Sequence, residues 1–352
     1  MTADVAVRPV ACLLILVVVG ACPAREAREP SAHPRLEAET ELTTAFLKEH
    51  YPRYQVALRR ARQWLDKLVV DPIDLRRRGL KGKKKLVEIL EAYVHMYQAA
   101  ATAERPGLLD RIRRLAATTS DDRYHDMLAV SDQVFKQDAT SYLRAAVLME
   151  RVGLDTRRYR AEIGKIKARL DGHLAVRGAH QQMAFHWYYQ HFGLREPFSL
   201  ARGFDRGVIA KRTDPYRLRR SIDTYHLTHE VFIPYEYGER RDARFFSQGD
   251  LRYLRRALDR LTVHRIMMND PDLVAELVTS MRFVGLTDLP VYREALVYLL
   301  DTQHPDGRWG NYERYRKRWG DLVNQGFYLH TTSVAVDALL YAYDYSWTHP
   351  GR

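Results

Sequence analysis

Apolar residues recur along this chain at helical spacing. Across residues 86–97 the set Leu86, Ile89, Leu90, Tyr93 and Tyr97 keeps the i, i+3, i+4, i+7 rhythm of a buried helix stripe. Val274, Leu277, Val278 and Met281 repeat it, and so do Val336, Leu339, Leu340 and Tyr343. No alternating strand pattern and no Asn-Gly hairpin signal stands out. The pattern predicts an all-α protein of roughly a dozen helices. With 352 residues and 46% hydrophobic content, the chain can bury a sizeable core.

Two stretches break the rhythm. The first is an apolar run over residues 10–21, too short to cross a bilayer as a helix and suited to the h-region of a signal peptide. It ends in Val19-Gly20-Ala21-Cys22, which resembles the lipobox of bacterial lipoproteins. That resemblance implies a diacylglyceryl group on Cys22 and cleavage just before it. Pro23, where an inner-membrane retention signal would have Asp, implies the periplasmic face of an outer membrane. An ordinary secretory signal is the competing reading. The sequence thus divides into a signal at 1–21, a polar Pro-containing tether at 22–35 and a helical domain at 36–352. The second break, residues 71–85, carries Pro72, Gly79, Gly82 and a basic cluster, and reads as an exposed loop.

Cys12 lies in the signal and Cys22 carries the lipid, so the mature domain has no disulfide, no thiolate ligand and no Cys nucleophile. The formal net charge is +12. An export signal and the lack of any nucleic-acid-binding motif argue against a nucleic-acid partner. The basic surface suits anionic glycan or lipid headgroups, or is simply an Arg-rich solvated surface.

The chain also repeats itself. Residues 126–135 align without gaps to residues 223–232. Each copy then reaches a Val-Gly-Leu step, at Gly153 and Gly285, followed by Asp155 and Asp288 and by the pairs Tyr159-Arg160 and Tyr292-Arg293. The glycines suit a helix C′ position and the aspartates the next N-cap. His180 and His330 each open a later apolar helix.

Gln303, Gly307 and Trp309 form a Q-x-x-x-G-x-W motif, and Tyr328-Leu329-His330-Thr331 follows after a charged loop. With the repeated hairpins, these residues resemble the α/α-toroid superfamily of terpenoid cyclases and protein prenyltransferases. The resemblance covers the last third of the chain as fold. It implies an incomplete α/α toroid of helical hairpins, with Gln303 capping a neighbouring helix end and stacking on Trp309. It does not carry activity: the Asp-x-Cys zinc pair of the prenyltransferases and the acidic Asp-x-Asp-Asp motif of the squalene cyclases have no counterpart.

The second repeat copy places His226 and His229 where the first has Ala129 and Asp132. At 100° per residue, Asp223, His226, His229 and Glu230 fall within an arc of roughly 120°. In a toroid such a face would line the central cavity. His330 would reach the cavity from another hairpin, with Tyr225, Tyr328, Trp309 and His180 nearby. Three readings stay open. One is a divalent ion, most plausibly zinc, held by His229, His330 and either His226 or Asp223. The second is a metal-free ligand pocket. The third is structural polar packing. For function, the expectations are a metal-assisted hydrolase or lyase acting on a glycan or other envelope substrate, with Asp223, Glu230 and Tyr225 as acid–base groups, or a non-catalytic lipoprotein that binds a ligand or partner. The enzyme reading rests on fold-level analogy.

Overall fold

The computed structural model describes residues 34–70, 82–240 and 244–343. The signal, Cys22 and most of the tether lie outside the described residues. Among those described there are thirteen α-helices and no strand, as the apolar periodicity predicts. No described helix is long and apolar enough to cross a membrane.

The helices are α1 Pro34–Asp66, α2 Lys83–Ala99, α3 Arg105–Ala117, α4 Asp132–Arg151, α5 Arg157–Leu174, α6 Ala179–Phe192, α7 Leu200–Asp205, α8 Ser221–Phe232, α9 Gln248–Met267, α10 Pro271–Phe283, α11 Pro290–Thr302, α12 Arg316–Trp319 and α13 Leu329–Tyr343. Helix α1 begins inside the expected tether.

The ends of these helices follow from local chemistry. Ser131 accepts a hydrogen bond from the Val134 N–H and starts α4. Asp270 does the same for the Leu273 N–H of α10, with Pro271 at the first helical position. Ser247 and Asp250 make a reciprocal capping box at α9. Gly153 and Gly285, at φ 73° and 72°, turn the chain out of α4 and α10. The duplication therefore holds for the hairpins α4–α5 and α10–α11, whose buried Tyr159 and Tyr292 correspond.

Upstream the repeat fails. Residues 126–131 precede α4 as irregular chain, whereas residues 223–232 lie within α8. Residue-type identity there reflects composition, not equivalent position. Asp155 accepts the Arg157 N–H as a cap would, but Asp288 pairs with Arg255 and caps nothing.

Helix neighbours follow one another in a cycle. Helix α2 packs on α4, α4 on α6, α6 on α8, α8 on α10, α10 on α13, and α13 on α2 again. The remaining long helices each pack on one or two of these six: α3 on α2, α5 on α4 and α6, α9 and α11 on α10, and α1 on α13. The cycle helices carry the most buried stripes. Every residue of α10 except Asp272 is buried.

Two further expectations are corrected. Within the basic cluster, Lys83 and Lys85 are buried, not solvated. Lys83 Nζ sits 2.8 Å from Asp126 Oδ1, and Lys85 donates to the Val69 carbonyl and to Gln325. The Gln303 amide donates to the carbonyls of Ala57 and Gly307, at 2.9 and 3.0 Å. Ala57 lies inside α1, so Gln303 ties α11 to the middle of a helix and does not cap an end.

Candidate active site

All six cycle helices contribute to one cavity of about 230 Å³. Helix α2 supplies Lys84, Glu88 and Glu91; α4 supplies Arg144; α6 supplies His180; α8 supplies Tyr225 and His229; α10 supplies Glu276; α13 supplies His330 and Asp337. Three of the expected imidazoles, from positions 180, 229 and 330, thus meet there, although 150 residues of sequence separate the first from the last.

His229 is fixed in one tautomer. Its Nδ1 lies 3.0 Å from the Tyr225 carbonyl, which can only accept, so Nδ1 carries the hydrogen and Nε2 the lone pair. Burial, then the neighbouring His180 and His330, push its pKa well below the usual range and keep the ring neutral. The Tyr225 ring lies against it, with centroids 3.7 Å apart. Burial and the adjacent His226 likewise hold His180 down at about 4.

Glu276 Oε2 lies 3.8 Å from His229 Nδ1 and accepts a hydrogen bond from Thr228. Burial, then the Asp272 carboxylate, raise its carboxyl to about 8. Glu276 is therefore a proton carrier at neutral pH.

His330 is the opposite case. Burial alone would lower it, but the carboxylates of Glu88 and Asp272 outweigh burial and raise it to about 9. Its Nδ1 sits 2.9 Å from Glu88 Oε2, and its Nε2 3.9 Å from Asp272 Oδ1. For Glu88, burial works upward, but His330 and Lys84 prevail and hold it at about 2.

Arg144 is paired with Glu91 and stands 4.9 Å above the Tyr237 ring. Tyr237 reaches the cavity from a tight turn in which Glu236 and Tyr237 both have positive φ, 48° and 55°. Such backbone costs of order 1–3 kcal/mol per residue. The turn is held where it is by the Tyr341 hydroxyl, which donates to the Tyr237 carbonyl at 2.8 Å.

Other expected site residues do not line the cavity. Asp223 lies in the first turn of α8, paired with Arg220. His226 stacks on His180, with centroids 4.7 Å apart, outside the cavity lining. Glu230 points the other way and accepts the backbone N–H groups of Val208 and Ile209 at 2.9 and 3.0 Å. Trp309 is fully buried and donates to the Leu299 carbonyl. Tyr328 is buried beside Tyr312 and donates to Glu313. The α8 face was read as one polar stripe, but a single helix cannot present an arc of 120° to one small cavity when neighbours pack on both flanks.

The expected zinc set is not brought together whole: Asp223 and His226 lie off the cavity wall, and His330 faces the carboxylates of Glu88 and Asp272. Among the described residues, the one group with ligand atoms within 4.8 Å of one another is Glu91, His95 and Asp337. Arg144 already neutralises Glu91, and His95 Nδ1 pairs with Asp337 at 2.8 Å. These ion pairs leave His95 Nε2 buried without a hydrogen-bond partner.

Sequence reasoning missed Glu88, Glu91, Arg144, Glu276 and Asp337. Glu276 and Asp337 did carry a signal: each is a lone acid within an otherwise apolar helical run, and such residues are rarely buried without a specific role or partner.

The fold and site define an all-α protein in which six helices bring ionisable side chains to one cavity. The model of a family described as a domain of unknown function (DUF6895) matches residues 54–325, and the chain belongs to that family. The match includes every cavity-lining residue of α2, α4, α6, α8 and α10. No curated protein and no solved structure matches the chain.

Proposed function

We propose that this chain is a lipid-anchored envelope protein whose cavity performs acid–base chemistry, as a hydrolase or lyase acting on a glycan or related envelope substrate. The cycle of six helices supports an α/α toroid, and the ionisable side chains that those helices bring to one cavity support its centre as the reaction chamber.

One observation carries the reading. His229 is neutral with a bare Nε2, and beside it Glu276 holds a proton at neutral pH. A base and an acid with displaced proton affinities a few ångströms apart are what proton abstraction and leaving-group protonation need. His229 Nε2 takes the proton and Glu276 delivers one. The His330 imidazolium and Arg144 stabilise the negative charge that develops. No step requires a metal.

The test is turnover of purified envelope glycans, followed by new reducing ends and by the ultraviolet absorbance of unsaturated products. His229→Ala and Glu276→Gln each abolish it while circular dichroism stays that of the wild type; full turnover in either variant overturns the assignment. For the anchor, Cys22→Ser moves the protein from the membrane fraction to the soluble one, and continued membrane association overturns that part.

A further inference from the structure

A second cavity, of about 450 Å³, adjoins the first, and Tyr225 lines both. Asp272 lines this outer cavity, and its carboxylate lies 3.9 Å from the His330 ring of the central one. Tyr225 and Asp272 are therefore the partition between two adjacent spaces.

The outer walls combine aromatic faces with polar edges. Tyr312 and Tyr315 line it, and Tyr315 stacks on Phe327 with centroids 5.5 Å apart and planes 18° from parallel. Asn311 and Arg314 supply the polar rim. The Arg314 guanidinium lies 4.9 Å from the centre of the Tyr315 ring. It is exposed and, among the described residues, has no carboxylate or hydrogen-bond partner. The contrast with nearby Arg316 matters: that guanidinium is tied to Glu313 and Asp321.

We propose that the outer cavity is a second binding site, which holds the next unit of an anionic oligosaccharide whose reacting disaccharide occupies the central cavity. This rests on the acid–base reading above and names its substrate class. A sugar ring has apolar C–H faces and a hydroxyl-bearing edge. Tyr312 offers surface for the faces, Tyr315 carries Arg314, and Asn311 and the aspartates offer partners for the edge. Arg314 is preorganised on the Tyr315 ring and presents its free fork to a carboxylate. A chain that reaches past Tyr225 occupies both spaces. The reacting disaccharide alone fills only the inner one.

The experiment is calorimetric titration of the full chain in detergent with digalacturonate and tetragalacturonate, and with maltotetraose as the neutral control. Tetragalacturonate should bind about tenfold tighter than the dimer, and maltotetraose should not show that gain. Arg314→Ala and Tyr315→Ala should each return the tetramer to the dimer's affinity and leave dimer binding unchanged, with unaltered thermal melts. A tetramer no tighter than the dimer, or a length gain that survives both changes, overturns the outer site while dimer binding lost in His229→Ala leaves the central reading standing. Binding of none of the saccharides overturns the proposal together with its substrate class.

Discussion

His229 and Glu276 sit 3.8 Å apart, both uncharged at neutral pH: burial keeps the imidazole neutral and the carboxyl protonated. Each state has a stability consequence. The folded Glu276 binds its proton more tightly than the unfolded one, so stability falls as pH rises from the ordinary carboxylate range through about 8. The folded His229 binds its proton less tightly, so stability also falls as pH drops below the ordinary His range. Glu276→Gln, neutral at every pH, should remove the Glu276 share of the alkaline decline and leave that of His330. Urea unfolding of both proteins from pH 5 to pH 9 checks this: the variant should gain on the wild type as pH rises, and parallel curves would show that Glu276 is ionised in the fold.

The Glu88–His330 pair is held in the opposite charge states, both partners ionised. The raised His330 stabilises the fold fully below its unfolded value near 6.5 and loses that contribution as pH rises through about 9. The lowered Glu88 contributes above its unfolded value near 4.5 and loses that contribution as pH falls through about 2. The pair is thus at full strength between roughly pH 4.5 and 6.5. Glu88→Gln strands a buried imidazolium and should cost about 3 kcal/mol at pH 6. The deficit should shrink above pH 9, and NMR titration should show the His330 pKa falling in the variant.

How much of this was legible in sequence depends on the range of the interaction. Helices, caps and the glycines at 153 and 285 are local, and the apolar rhythm reports them. His180 and His330 were legible because each opens an apolar helix, whereas His229 was singled out by an alignment that does not hold at α8. Glu88 and Arg144 were not, because their partners lie on other helices: Glu88 faces His330 and Arg144 faces Glu91, and no local pattern records either pairing. Glu230 misled because helical angle fixes where a side chain starts, while the neighbouring chain decides what it meets.

The turn at Gly307 holds α1 against α11. Its φ of 103° suits glycine, and a Cβ there would come 2.1 Å from the Arg60 carbonyl oxygen, which is backbone and cannot swing away. Gly307→Ala should therefore push α1 outward and lose the bond from Gln303 to the Ala57 carbonyl. We expect a loss of about 2–4 kcal/mol by chemical denaturation. Gln303→Ala, which removes the tether without adding bulk, should cost less. Equal losses would mean that the clash contributes nothing.

Glu230 separates structural from chemical roles on one helix. It is one residue from His229, yet its carboxylate accepts the Val208 and Ile209 N–H groups in a buried loop, and burial raises its pKa to about 7. Glu230→Ala leaves both donors without a partner, at about 1–3 kcal/mol each. Stability should fall while turnover per folded molecule stays that of the wild type. Gly207→Ala reaches the same contact from the other side, since a Cβ there would lie 2.4 Å from Glu230 Oε2. It should give the same phenotype: a lower melting temperature, unchanged turnover, and faster amide exchange at Val208 and Ile209. Loss of turnover in either variant, at a temperature where it remains folded, would return Glu230 to the reaction itself.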